Sequence, residues 1–249
     1  WGPMMNGVYD SAYFLQFVGK DSRKLAYAAS FGKTKFDETT VVAYKKMLSE
    51  YDKIAVREKS AVSLLEEWGL NNCLGQVLDP TLLLDMSQWT NLLIKKNDFD
   101  KYKDLKYILV YQIHNDPKLS GYAKRLAKHT GMELLRVNPM LHQALRGGKF
   151  ICSPDLSEFL SLVANASCIV TDSFHGTVFS ILHHRPFVVI ANKTRGLARI
   201  ETLLNTFDLK DRLIGTTINC NREWLLSGIQ WNNVDVILRE KRELFKRFI

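Results

Sequence analysis

Cysteine is scarce in this sequence. Cys73, Cys152, Cys168 and Cys220 are four in 249 residues, and no two form a C-x-x-C pair. That excludes a structural zinc ribbon and a dense disulfide framework, and leaves reduced, mostly buried thiols as the expectation. Long apolar runs are missing too. None approaches the roughly 20 residues of a membrane span. The opening Trp1-Gly2-Pro3 leads into polar and aromatic residues and not into a secretory h-region, so the chain reads as cytoplasmic. There is no low-complexity tract and no internal repeat. His114, His129 and His142 lack the mutual spacing of metal ligands, and no metal site is expected.

What is present is an ordinary globular composition, 46% apolar and 24% charged, with a formal charge of +8. A positive excess suits anionic partners. The basic residues are scattered, except for Arg239, Lys241, Arg242, Lys246 and Arg247. Those alternate with Glu240 and Glu243 at helical spacing, so they predict a solvated helix face and no nucleic-acid stripe.

Strand-like runs alternate with helical ones. Strands are expected at 24–30, 53–57 and 75–80, with helices at about 38–50 and 58–69. A polar stretch at about 86–104 reads as a boundary. Beyond it, strands are expected at 107–113, 132–137, 168–171 and 187–191, and a helix at about 118–130. Ser153-Pro154-Asp155, with Glu158 three residues after Asp155, has the pattern of a helix start. A basic amphipathic helix begins at about 232. Strands alternating with helices of this length predict α/β architecture with parallel sheets covered on both faces. The expected layout is a first Rossmann-like lobe over 1–100, a second over 101–230, and a C-terminal helix, 231–249, packing back toward the first.

The segment TDSFHG, residues 171–176, falls where the apolar strand CIVT turns into a helix. Asp172 or Ser173 can cap that helix. His175 then lies in its first turn at the carboxyl end of a parallel strand, where open α/β sheets bind ligands and a helix start favours anions. Gly176 removes a side chain from the same turn, allowing close approach. From the residues alone, His175 is either a proton-transfer group or a core histidine joining two loops, and both readings stand. His183 and His184 close the helix, where cations suit its dipole.

TDSFHGTVFSILHHRPFVV resembles the hallmark segment of the polysaccharide pyruvyl transferase family. Further pieces match in order: YFLQFV (13–18), LAYAASFG (25–32), IAVREKSAVSLLEEWG (54–69), VLDPTLLL (77–84), SPDLSEFLSLVANAS before the motif, and ARIETLLNTFDLKDRL (198–213). Trp1 matches the Trp of the family's Gly-Ser-Asp-Gln-x-Trp segment, which implies a first lobe whose start lies upstream.

The resemblance implies a GT-B-like pair of Rossmann-like lobes and transfer of pyruvate from phosphoenolpyruvate to sugar hydroxyls as a ketal. No metal or organic cofactor is implied. The partners are the donor and a sugar or lipid-linked glycan acceptor, which leaves room for work at the inner face of a membrane. By the same resemblance His175 is the general acid, and Arg57, Arg195 and Arg199 bind the anionic donor. Ser173, Phe174 and Gly176 line it, and Asp172, Thr177, Lys193 and Glu201 give support. Some members carry Arg-Leu where this chain has Ser173-Phe174, so one cation is absent from the motif here. The structural alternative for Arg57 is an ion pair with Glu58 or Glu66. The competing functions are a GT-B-type glycosyltransferase with a nucleotide-sugar donor and a non-catalytic glycan-binding relative.

Overall fold

A computed structural model of the protein describes residues 1, 9–19, 21–93, 95–190, 196–214 and 228–248. It divides into two compact units. One comprises Trp1–Leu83, Thr194–Leu203 and Arg239–Ile249, the other Leu84–Lys193 and Leu204–Leu238. The break therefore comes before the polar stretch and not at its end near residue 100. The segment after the second sheet belongs with the first unit, and the last helix is shared at Leu238.

In the first unit, β1 (Leu25–Ala29), β2 (Lys53–Val56) and β3 (Cys73–Gln76) form a three-stranded sheet in that order, with every pairing parallel. Helices α1 (Glu38–Leu48) and α2 (Lys59–Glu67) connect them. Asp37 caps α1 by accepting the Thr40 N–H at 2.8 Å. The core is strongly aromatic, with Phe14, Phe31, Tyr44, Tyr51 and Trp68 packed around Ile54 and Val56.

The second unit opens with α3 (Met86–Leu93) and α4 (Lys96–Asp100). Its five-stranded sheet is built from β4 (Tyr107–Tyr111), β5 (Glu133–Asn138), β6 (Lys149–Cys152), β7 (Cys168–Thr171) and β8 (Phe187–Val189). The spatial order is β6-β5-β4-β7-β8, all parallel. β7 and β8 are buried at every residue, as an apolar β-branched run requires when helices cover both faces. α5 (Pro117–Thr130) starts on the Asp116 cap and stops at Gly131, which takes the left-handed conformation at φ 69°. α6 (Leu156–Asn165) starts on the Asp155 side chain, as the capping pattern predicts. β6 has no counterpart among the expected strands.

α7 (Phe174–Leu182), α8 (Leu197–Thr206) and α9 (Trp231–Phe248) complete the described helices. In the first unit, α9 sends Arg242 Nε to the Leu82 carbonyl at 2.7 Å and sets Phe245 edge-on to Tyr27. No helix among the described residues is long and apolar enough to cross a membrane. The thiols depart from expectation: only Cys168 is buried, Cys73 is half-buried and Cys152 is exposed. Cys220 lies outside the described residues.

Of the two histidines at the end of α7, His183 differs from the cationic reading. His183 is buried, and neither ring nitrogen has a partner among the described residues. Burial, helped by Arg185 and His184, pushes its pKa down to about 3, so the ring is neutral and gives the helix dipole no charge. His184 instead stacks on Trp231 with ring centres 4.9 Å apart and meets Asp235 through Nε2 at 2.9 Å. The unfolded chain protonates His183 below its usual 6.5, the folded chain only near about 3, so stability falls as pH drops through that window. His183→Leu is expected to flatten that slope in urea melts between pH 6.5 and 4. An unchanged slope would assign the acid lability to other groups.

Candidate active site

The order β6-β5-β4-β7-β8 reverses direction between β4 and β7. Strands β5 and β6 extend to one side of β4, and β7 and β8 to the other. In open parallel sheets that switch point, at the carboxyl ends of the strands, is where ligands bind. The TDSFHG segment leaves β7 there, and Gln112-Ile113-His114 leaves β4 beside it.

Asp172 ties the two exits together. It is 4% exposed. One carboxylate oxygen accepts the Ile113 N–H at 2.6 Å, and the other accepts the His114 N–H at 2.8 Å. The second oxygen also meets His114 Nδ1 at 3.1 Å. Of the two candidate caps, Asp172 is therefore not the one the helix uses. The cap is Ser173, whose hydroxyl accepts the Gly176 N–H at 3.2 Å. A chain of bonds braces the turn, from the Ser173 N–H to Thr171 Oγ1 at 3.0 Å and from that hydroxyl to the Tyr111 carbonyl at 2.6 Å.

His175 is exposed, in the first turn of α7, with Phe174 edge-on at 5.4 Å between ring centres. The core-histidine reading fails on that exposure. Gly176 serves a different end from the expected one. A Cβ built on it would run into the Thr171 side chain and come within 2.9 Å of Tyr111 Cδ1. Its missing side chain lets the helix lie on β4 and β7, not a ligand on the helix. Thr177 is buried and bonds back to the Ser173 carbonyl at 2.9 Å.

His114 is the group that sequence reasoning missed. Its side chain is 31% exposed while that of Asp172 is 1% exposed, so a sealed carboxylate holds one face of a solvent-reaching imidazole. With a proton on Nδ1 facing the carboxylate, Nε2 of the neutral ring is the acceptor. No local signal marks it beyond its position just after a buried strand.

In the first unit, Arg57 follows β2, and its Nη1 donates to Asp79 Oδ2 at 2.5 Å. This ion pair is made with Asp79. Burial pushes the Asp79 carboxyl up, but the Thr81 hydroxyl and amide and the Arg57 guanidinium outweigh it and hold its pKa below the ordinary carboxylate value. Glu58 repeats what Asp172 does. It is 2% exposed, and one oxygen accepts the Ser30 hydroxyl and the Phe31 N–H, both at 2.9 Å, and the Gly32 N–H at 3.3 Å. A carboxylate following one strand thus anchors the loop after its neighbour in both units.

Arg199 and Glu201 lie on α8, Arg199 half-buried and Glu201 exposed. Thr202 on the same helix accepts the Lys59 N–H at the start of α2 at 3.4 Å. These residues belong to the first unit, His175 and its neighbours to the second. Lys193 and Arg195 lie outside the described residues. Among the described residues no group of three or more His, Cys, Asp or Glu side chains is arranged to hold a metal.

Parallel sheets flanked by helices, with a ligand edge at a switch point, make this an α/β protein of GT-B type. A UDP-N-acetylglucosamine 2-epimerase from Rickettsia bellii matches it with a TM-score of 0.55 at 14% identity, over 86% of this chain and 63% of the other. An S. aureus MnaA–UDP structure matches with a TM-score of 0.52 at 18% identity, over 90% of this chain and 62% of the other. The chain thus spans just under two thirds of the length of these structures, and identities this low show the fold alone. No curated protein matches the chain. The family model for polysaccharide pyruvyl transferase matches residues 2–194, and the chain belongs to that family.

Asp172→Ala is expected to destabilise the fold by about 3 kcal/mol, since two backbone amides lose their bonds to a buried charged acceptor. Gly176→Ala is expected to cost about 1–3 kcal/mol through overpacking against Thr171 and Tyr111. Denaturant unfolding of both variants tests these values. A neutral Gly176→Ala would restore the reading in which the glycine makes room for a ligand.

Proposed function

We propose that the protein is a pyruvyltransferase, moving pyruvate from phosphoenolpyruvate to two hydroxyls of a glycan or glycan precursor and releasing phosphate. The observation that carries this is an exposed histidine in the first helical turn at the switch point of a chain in this family.

The proton balance follows from the groups at that edge. His175, as imidazolium, gives its proton to the methylene carbon of the donor, and C2 becomes an oxocarbenium-like centre. The first acceptor hydroxyl adds to C2 and passes its proton to the imidazole of His114, which Asp172 holds by Nδ1. The bond from C2 to the phosphate oxygen then breaks, and phosphate leaves with the proton held on His114. The second hydroxyl closes the ketal and reprotonates His175. Acid–base assistance of this kind contributes roughly a hundred- to ten-thousand-fold.

The positive end of α7 favours the donor's charge. Arg57 is the proposed ligand of a donor anion. Asp79 fixes the direction of its guanidinium, at the cost of neutralising part of its charge. Arg195, Arg199 and Lys193 are proposed to add positive charge for the phosphate. Ser173 acts through the cap, because its hydroxyl is engaged with Gly176. The acceptor is proposed to be a sugar or lipid-linked glycan, and no cofactor enters the reaction.

Phosphate release from phosphoenolpyruvate with a panel of acceptor sugars tests the reading. His175→Ala is expected to abolish acceptor-dependent release while titration calorimetry still detects donor binding. Arg57→Ala is expected to weaken donor binding about tenfold or more, the effect of removing one partner of a close charge pair. Hydrolysis of a nucleotide-sugar with no release from phosphoenolpyruvate would replace this function with glycosyl transfer. Inertness toward both, in a full-length protein, would point to a non-catalytic relative.

A further inference from the structure

Arg136, on β5, is the largest fully buried side chain among the described residues, 1% exposed. Its Nη1 donates to Gln112 Oε1 at 3.1 Å and its Nε to the Gly147 carbonyl at 3.4 Å. The same Gln112 oxygen also accepts the Ser120 hydroxyl at 3.0 Å, so both of its lone pairs are used and it brings no negative charge to the guanidinium. Among the described residues Nη2 has no partner. No carboxylate perturbs the group. Burial, and then the like charge of Arg146, push its pKa down to about 10, which leaves it cationic at neutral pH. An isolated buried charge costs several kcal/mol unless something offsets it.

Two more cations come to the same place. Arg146 ends the 3-10 turn Leu141–Arg146, and its Nη1 is likewise buried without a partner among the described residues. Lys124, on α5, lies over Gly147: a Cβ there would meet Lys124 Cε at 2.9 Å and Nζ at 3.3 Å. Gly147, at φ 82°, is therefore the residue around which helix, strand and turn bring three positive groups. Lys124 is exposed and Arg146 half-buried, so the cluster opens to solvent above its buried floor.

We propose that Arg136, Arg146 and Lys124 form an anion site for a phosphate or diphosphate group, made of other residues than the His175 edge and bordering that edge through Gln112. Three cations with no ion pair to a carboxylate among the described residues call for a dianion, and a guanidinium fork beside an ammonium fits tetrahedral phosphate oxygens. The site lies wholly in the second unit and does not depend on the transfer reaction proposed above.

Hydrogen–deuterium exchange of the full chain tests it, with millimolar orthophosphate and, separately, UDP as probes. Segment 143–149 reports on this site and segment 172–177 on the His175 edge. Slower exchange at 143–149 is expected in wild type and in His175→Ala alike. The Lys124→Ala/Arg146→Ala double variant, altered only at accessible positions, is expected to need at least tenfold more probe. Protection by orthophosphate identifies a lone phosphate as sufficient, and protection by UDP alone identifies a diphosphate-bearing ligand; either upholds the site. No protection at 143–149 with either probe, or equal protection in the double variant, overturns it. Arg136→Met gives a second readout. Its Tm is expected to equal or exceed that of wild type in phosphate-free buffer and to lose its response to phosphate. A lowered Tm that still rises with phosphate would count against the proposal.

Discussion

The bond from a buried carboxylate to the amides of a neighbouring strand's exit loop is the interaction on which the His175 edge depends. A parallel strand ends with N–H groups that its own sheet no longer satisfies, and burying them unpaired is costly. Asp172 satisfies two of them after β4. Glu58 does the same for the loop after β1. Each acid is held by charge-assisted bonds and cannot drift, so the loop it anchors is fixed relative to the helix that starts beside it. His175 owes its position to that bracing, and His114 owes its orientation to it directly.

The same edge shows how packing and chemistry divide between adjacent residues. In the hexapeptide, Thr171, Asp172, Ser173 and Gly176 are buried and carry structure, whereas His175 is exposed and Phe174 half-exposed. Gly176 brings the helix onto Tyr111 and Thr171, which sets how far His175 projects beyond the sheet. A motif that looks like one functional unit is therefore a rigid frame around a single exposed imidazole. Arg136 presents the opposite case, a charged group taken into the interior of a strand layer with amide and carbonyl contacts in place of a counter-ion.

Much of the fold was legible because its signals are short-range. CIVT and YILVY are apolar and β-branched or aromatic, and such runs are buried strands wherever helices cover both sheet faces. Asp155 and Gly131 mark helix ends by chemistry within a few residues. KFIC was illegible because it is an edge strand with only partial burial, four residues long, and its polarity carries no alternation. Arg57 was legible as a cation at a strand end, but its partner was not, since Asp79 is 22 residues away and equally acidic neighbours lie closer in sequence.

The sequence by itself determined the alternating elements, the buried strands, the helix start that presents His175, and the family to which the motif belongs. Those follow from side-chain burial, caps and local spacing. Only the tertiary structure decided that Ser173 and not Asp172 caps the helix, that Asp172 reaches His114 across 58 residues, that His183 is sealed and neutral, and that Arg136 meets two other cations. Capping grammar leaves two adjacent candidates equal, and charge, burial and pairing depend on which strands lie side by side. The sheet order sets that, with β4 at its centre between β5 and β7.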